Sequence, residues 1–262
     1  MPVSLGQILA TTELTLPALK ARRRELERQA ADTLPGVSFR QALQGSSVSL
    51  IAEVKRRSPS AGSIREDLDP ASRAAQYAAG GAAAISVLTD GPYFGGSLAD
   101  LRAVAAQVRA PVLRKDFILS EEQVLEARAA GASAVLLIVR ALTPARLESL
   151  RQFAADAKLA ALVEAHNATE VATALDAGAE IVGINSRDLD TFRIDVHAAW
   201  QLFAMVPRGI VAVAESGMAS VADVSLAAAA GADAALIGTA LSASDEPGEL
   251  ARQFAGVERR GR

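Results

Sequence analysis

The sequence predicts an α/β protein built as a (β/α)8 barrel with an N-terminal helical extension, and three observations carry that prediction. The first is a repeat. Ala-Gly-Ala occurs at 130–132, 177–179 and 230–232, with a degenerate Gly-Gly-Ala at 80–82, so Gly81, Gly131, Gly178 and Gly231 stand 50, 47 and 53 residues apart. Each ends a helical pattern, where glycine accepts a positive φ without a Cβ clash. The second is a set of eight short apolar runs. Four follow the repeats, at 84–88, 134–138, 181–184 and 234–237, and four more lie at 48–54, 112–113, 160–163 and 210–214. Continuous apolar runs suit strands covered on both faces, as a parallel sheet requires. The third is arithmetic: a period near 50 residues holds two βα units, and four periods make eight. An open doubly wound sheet would more naturally show two halves, and no Gly-x-Gly-x-x-Gly follows the first run.

The elements follow in order. Residues 1–47 precede strand one and are expected as a helical extension packed on a catalytic barrel that occupies 48–262. Within the extension, residues 16–31 interleave Lys20, Arg22, Arg23, Arg24, Glu25, Glu27 and Arg28 with Leu19 and Leu26. That pattern reads as one amphipathic, mostly solvated helix, with the arginine run on its wet face. After strand one, Ser58-Pro59-Ser60-Ala61-Gly62-Ser63 has the composition of a mobile lid, with Gly62 as its hinge. The loop at 89–97 puts Tyr93 and Phe94, two of only ten aromatics, on a glycine-rich rim. They either tack the loop down or wall a flat ligand. His166 follows Glu164, yet Glu-Ala-His-Asn reads as the start of a helix capped by Asn167 rather than as a base. Trp200 sits in an apolar helical pattern and reads as core. Residues 258–262 are expected to fray.

Composition excludes several classes. The chain has 262 residues, half of them hydrophobic, enough for one large core. Twenty-seven basic and thirty acidic residues give a net charge of −3, which argues against nucleic acid or an anionic membrane as partner. Zero cysteines remove disulfides, thiolate metal sites and cysteine nucleophiles. Two histidines, His166 and His197, cannot build a multi-histidine metal cluster unaided, and no metal is expected. The longest largely apolar run, 132–139, is far short of the roughly 18 residues a membrane span needs. The first residues lack a cationic segment before an apolar one, so the expected location is cytoplasmic.

In barrels the chemistry sits where strands end at their C-terminal side. Strand one ends with Glu53 and Lys55, two apart and so on one face. Strand three offers Arg114, Lys115 and Asp116; strand five Glu164; strand six Asn185; strand seven Glu215 and Ser216; strand eight Gly238 and Thr239. Carboxylates and ammoniums around one rim are what proton transfer needs. Lysine usage sharpens this. The chain has only four lysines, Lys20, Lys55, Lys115 and Lys158, and two of them stand at strand ends. Arginine keeps its proton at working pH, whereas lysine can be tuned to release one. Ser216-Gly217 and Gly238-Thr239 fall where such barrels hold a phosphate, with backbone N–H groups and helix N-termini facing the anion.

Several strings resemble the indole-3-glycerol phosphate synthase family. They include Ile-Ala-Glu-Val-Lys-Arg-Arg-Ser-Pro-Ser at 51–60, Tyr-Phe-Gly-Gly-Ser at 93–97, and Pro-Val-Leu-Arg-Lys-Asp-Phe at 111–117. Leu-Val-Glu-Ala-His at 162–166, Gly-Ile-Asn-Ser-Arg-Asp-Leu at 183–189, Ala-Glu-Ser-Gly at 214–217 and Leu-Ile-Gly-Thr-Ala-Leu at 236–241 continue the match. It runs in order from about residue 48 to 248 and touches every strand end. The chain departs from the family pattern at Ser186, usually asparagine, and at Ser242, commonly methionine. The resemblance implies a TIM-barrel lyase of tryptophan biosynthesis acting on a small phosphorylated substrate without cofactor, and a monomer or weak homo-oligomer is expected. It implies Lys115 as principal acid, with Glu53, Lys55 and Glu164 sharing the other proton transfers and Asn185 orienting substrate hydroxyls. It also implies a phosphate site at Ser216, Gly217, Gly238 and Thr239, assisted by Ser58 and Lys55. Arg187 would bind an anion, Glu215 would support the site, and Phe94 with Leu136 would wall the aromatic ring. Within the same fold, a phosphosugar isomerase would not need the two lysines, and a Schiff-base aldolase would use Lys115 as nucleophile. A silent ligand-binding barrel would be expected to have lost some of Glu53, Lys115 or Glu164.

Overall fold

A computed structural model describes residues 3–59, 62–189 and 191–261. Eight parallel strands close a barrel: β1 Ser49–Val54, β2 Ala84–Leu88, β3 Val112–Lys115, β4 Ala134–Ile138, β5 Ala160–Ala165, β6 Ile181–Asn185, β7 Val211–Glu215 and β8 Ala234–Ile237. Each strand pairs with the one before it, and β8 closes on β1 from Ser49–Ala234 to Ala52–Ile237. Helices fill the connections, as the repeat predicts.

The strand side chains alternate between two apolar clusters, as a period-2 pleat demands. Ile51, Leu113, Leu136, Leu162, Ile181, Val213 and Leu236 fill the barrel interior. Their neighbours Leu50, Ala52, Val112, Leu137, Val163, Ala212 and Ala235 pack outward against the helices. Strands three, five, six and seven run one or two residues further than their apolar runs. Lys115, Glu164, Asn185 and Glu215 are therefore last rungs of the sheet rather than loop residues, and Ile138 still pairs with Glu164 and Asn185 with Glu215.

The repeat glycines do what their position requires. Gly81, Gly131, Gly178 and Gly231 have φ of 93°, 89°, 76° and 112°. The following N–H reaches the carbonyl five residues back, from Ala82, Ala132, Ala179 and Ala232, at 3.0 Å each. This helix ending satisfies carbonyls that would otherwise face a buried turn. Lys158, at φ 62°, makes the same turn, with Leu159 N–H on Ala154 O at 2.8 Å. It is a further copy that no glycine marks.

The extension differs from its expected form. Residues 16–31 form two helices, Leu16–Ala21 and Arg23–Asp32, broken at Arg22, and the helices Leu5–Glu13 and Phe39–Ala42 flank them. The arginine run is not all wet. Arg23 bridges Glu121 at 2.8 Å and Glu122 at 2.9 Å, which clamps its helix to Glu121–Ala129, while Leu26 is buried with Leu125. Phe39 and Leu43 are buried in the interior cluster at the barrel's base, where Arg40 donates to Gly209 O. The chain's end is also held rather than frayed: Ser47 bridges Glu258, and Arg259 pairs with buried Asp233.

The segment after β1 is a short hairpin, Arg57–Ser58 pairing with Gly62–Ser63. Its base is fixed by Arg56, which grips Asp100 at 2.7 and 3.0 Å and the carbonyls of Gly95 and Leu68. Gly62 has φ 67°, a value closed to proline. Ser60 and Ala61 of the expected lid lie outside the described residues. Asn167 caps the helix Ala168–Asp176 and Trp200 is buried, both as expected. Among the described residues no helix is long and apolar enough to cross a membrane.

Candidate active site

The strands' C-terminal ends open into a cavity of about 590 Å³, and all fourteen candidate residues from the sequence line it: Glu53, Lys55, Ser58, Phe94, Lys115, Leu136, Glu164, Asn185, Arg187, Glu215, Ser216, Gly217, Gly238 and Thr239. Alternation explains the convergence. A residue at a strand's last inward rung has the cavity in front of it and the sealed barrel core beneath it. Arg114, one residue earlier, points the other way. It is buried and donates to Asp116, Glu126, the Gln123 carbonyl and Thr89, and Asp116 in turn accepts from Phe117 N–H. That network pins the exit of β3 and so the stem of Lys115.

Two lysines face three carboxylates. Lys55 Nζ lies 3.1 Å from Glu53 Oε1, and Glu53 Oε2 accepts from Ser86 Oγ at 3.3 Å. Lys115 Nζ lies 3.3 Å from Glu164 Oε2 and 3.7 Å from Glu215 Oε2, keeping 16% of its side chain exposed to the cavity. Burial alone would lower the Lys115 pKa, but Glu164, Glu215 and Glu53 together reverse that and raise it above the ordinary lysine value. Burial opposes ionisation of Glu164 as well. Lys115, with His166 and hydrogen bonds, still holds it down to about 2. Glu215 goes the other way: burial and the neighbouring Glu164 charge push it well above the usual carboxylate range. The two carboxyl groups are thus pushed in opposite directions around the Lys115 ammonium, Glu164 toward the ionised form and Glu215 toward the neutral acid.

Small residues make room for these groups. A Cβ on Gly183 would lie 2.0 Å from Glu215 Oε1, and one on Gly238 would lie 2.4 Å from Glu53 Oε1 and 3.1 Å from Lys55 Nζ. Gly238 was expected to be bare so that an anion could approach its backbone. Its missing side chain also leaves space for Glu53 and Lys55.

Where the sequence leads one to expect the phosphate, Ser216 and Gly217 are consecutive residues of positive φ, 64° and 77°. The helix after them starts only at Val221, and Ser220 with Asp223 already caps it. The helix Thr239–Ala243, with Gly238 at its N-cap, has no side-chain cap, so its start faces the cavity with free N–H groups. The β2 loop splits its two aromatics between the readings. Tyr93 OH tacks the loop to Thr11 Oγ1 of the extension at 2.8 Å, while Phe94 walls the cavity with its ring 6.2 Å from Phe117.

Sequence reasoning missed Phe117, Phe192, Ile194 and Met218 in that wall. Phe117 had a signal, since it directly follows the Lys115-Asp116 strand end. Phe192 and Ile194 had none: they return through a loop in which Arg187 bridges Ile194. His166 does not face the cavity, but it is buried with Nε2 3.4 Å from Glu164 Oε1 and Nδ1 3.0 Å from Glu170. Among the described residues no group of histidine and carboxylate side chains is arranged to hold a metal.

Closed eightfold sheet and converging ionisable groups at its C-terminal mouth define a barrel enzyme. A family model described as indole-3-glycerol phosphate synthase matches residues 5–254, and the chain belongs to that family. Relatives of that name are 49% identical in Leptospira interrogans, over 84% of this chain and 88% of theirs, and 47% identical in Leifsonia xyli, over 98% and 100%. One from Nocardioides is 52% identical over 86% of this chain and 85% of its own. Among solved structures, the chain superposes on a 3-hexulose-6-phosphate synthase (TM-score 0.64, 79% and 98% covered) and on a thiamine phosphate pyrophosphorylase from Pyrococcus furiosus (TM-score 0.62, 83% and 96% covered). At 16% identity both likenesses concern the fold alone.

Proposed function

We propose that this protein is a carboxy-lyase that closes the indole ring of 1-(2-carboxyphenylamino)-1-deoxyribulose 5-phosphate, giving indole-3-glycerol phosphate, carbon dioxide and water in tryptophan biosynthesis. Residues 48–262 act as the catalytic barrel and 1–47 as an extension packed on it, in the cytoplasm, as a monomer or weak homo-oligomer. No cofactor takes part. The observation that carries the reading is Lys115, an ammonium held between Glu164 and Glu215 at the floor of a cavity with an aromatic wall at one side and an uncapped helix start at another.

The chemistry follows from those groups. The ring carbon that bears the carboxylate attacks the sugar ketone, and the carbonyl electron pair moves to oxygen. Lys115 gives that oxygen a proton. Its raised pKa does not forbid the transfer, because the alkoxide formed is more basic still, and the charge stabilises the oxyanion as it develops. Loss of carbon dioxide returns an electron pair to the ring. The new hydroxyl then leaves as water after a second protonation, and loss of a ring proton restores aromaticity. Glu164, held ionised, is suited to accept that proton, and Glu53 with Lys55 share the protonation of the leaving hydroxyl. Asn185 orients the sugar hydroxyls and Glu215 supports Lys115. Arg187 binds the substrate as an anion, and Ser58, Lys55, Ser216, Gly217, Gly238 and Thr239 hold the phosphate. Phe94 and Leu136 flank the anthranilate ring. Incubating purified protein with this substrate should release indole fluorescence. No signal at saturating substrate, or an irreversible borohydride adduct on Lys115, would overturn the reading, the second in favour of an aldolase.

A further inference from the structure

Ser242 is fully buried in the first turns of the helix Thr239–Ala243 and has none of the roles above. The edge of β1 explains it. On the β8 side the ladder runs to Ala52–Ile237, and there β8 ends as the chain turns at Gly238. The Glu53 carbonyl and the Lys55 N–H are left without a strand partner on that side. In a parallel ladder, one residue of the neighbouring strand donates to the carbonyl of residue j−1 and accepts from the N–H of residue j+1. Ser242 Oγ does both: it donates to Glu53 O at 3.1 Å and accepts from Lys55 N–H at 3.1 Å. One hydroxyl replaces a residue of the missing strand. Ser242 N–H is itself anchored on Gly238 O at 2.8 Å, and Tyr77 OH lies 3.5 Å from the hydroxyl.

The two clamped groups flank Val54, so they fix the backbone between the Glu53 and Lys55 side chains, whose carboxylate and ammonium meet at 3.1 Å in the cavity. We propose that Ser242 is a positioning residue whose hydroxyl extends the β1–β8 ladder by one rung and so sets the Glu53–Lys55 pair against the helix start at Gly238. The proposal rests on the acid–base reading of Glu53 and Lys55 given above. It also gives a purpose to one of the two positions where the chain departs from the resembled pattern, since neither methionine nor alanine can donate and accept at once.

The test compares Ser242→Ala, Ser242→Thr, Lys55→Met and the Ser242→Ala/Lys55→Met double variant. Amide exchange at Lys55 should be at least tenfold faster in Ser242→Ala, and kcat should fall roughly tenfold with a smaller change in KM, as expected for one lost hydrogen-bonded rung. In the Lys55→Met background the serine substitution should cost clearly less than in the wild type, because one of the two side chains it positions is gone. Threonine keeps a hydroxyl and should restore both exchange and kcat; if its methyl does not fit, the exchange rate and the double-variant cycle decide alone. Unchanged Lys55 exchange in Ser242→Ala would remove the clamp, and a full additive kcat loss in the double variant would make Ser242 merely structural. A wild-type protein inert toward the substrate would defeat the assigned reaction instead, while the exchange rates would still judge the clamp.

Discussion

Lys115 keeps its ammonium between Glu164 and Glu215 while its β3 neighbours Arg114 and Asp116 are locked from behind. Arginine there would preserve the charge and remove the transferable proton. Lys115→Arg should therefore fold normally and lose turnover by about 10²- to 10⁴-fold, the usual share of a positioned acid. Near-normal kcat in that variant would rule out the acid role. Glu215 supports a second prediction at this scale, with a definite sign. Its folded pKa is raised, so the stability it contributes is present below its unfolded value and lost as pH rises through the folded one. Glu164, depressed to about 2, acts only in acid, and Lys115 only above the ordinary lysine range, so neither shares that window. Glu215→Gln cannot ionise, and its amide can still donate to Glu164. As pH rises above the ordinary carboxylate range, the fall in Tm should be shallower in that variant than in the wild type. Equal slopes would show that Glu215 is ionised in the folded protein.

Among the elements, the hairpin after β1 shows how a loop can be built from mobile-looking residues and still be held. Ile64 and Arg65 N–H groups both bond Arg56 O, at 2.8 and 3.1 Å, and the Arg56 side chain ties the segment to Asp100. Arg56→Ala would leave Asp100 without its bidentate partner, at a cost of about 1–3 kcal/mol. The amides of Ile64 and Arg65 should then exchange faster, and turnover should drop because Ser58 and Pro59 of the same segment wall the cavity. Exchange unchanged from wild type would place the anchor elsewhere. The hairpin's composition hid this, since serine, proline and glycine announce a turn but not what grips its base. Strands were legible because both their faces are apolar. Their exact ends were not, because a charge aimed into a cavity looks in sequence like a charge in water: Glu164 and Glu215 lie beyond the apolar runs and are still strand. Helix ends were legible wherever glycine took the positive φ and illegible at Lys158, where a side chain accepts the same strain. The fourteen candidate residues line one cavity, and those on strands do so because inward rungs recur every two residues. Phe192 and Ile194 were not legible, because a loop has no period.

For the whole molecule, the extension ties together the two ends of the barrel. At the mouth, Leu5 and Ile8 of the first helix are buried in the cluster that includes Phe94 and Phe117, and Thr11 holds Tyr93. At the base, Phe39 and Leu43 close the interior, while Arg128 donates to the carbonyls of Thr33 and Leu34 on the way. These contacts differ in size and so predict different truncations. Removing residues 1–14 takes away two buried aliphatic side chains and one hydroxyl contact, at the rim, where the β2 loop can relax. That variant should still unfold cooperatively but bind substrate more weakly, since Phe94 loses its support. Removing residues 1–47 also uncovers the barrel floor. Losing a buried Phe costs about 3–5 kcal/mol and a buried Leu about 2–5 kcal/mol, against a total stability of about 5–15 kcal/mol for a domain. The 48–262 fragment should therefore lose its cooperative thermal transition or aggregate, and Phe39→Ala with Leu43→Ala in the full chain should reproduce much of that loss with the mouth intact. Calorimetry on the three variants, with substrate titrations on any that fold, separates the two ends. A fragment 48–262 that melts cooperatively near the full-length Tm would show that the barrel closes its own floor, and the extension would then matter only at the mouth.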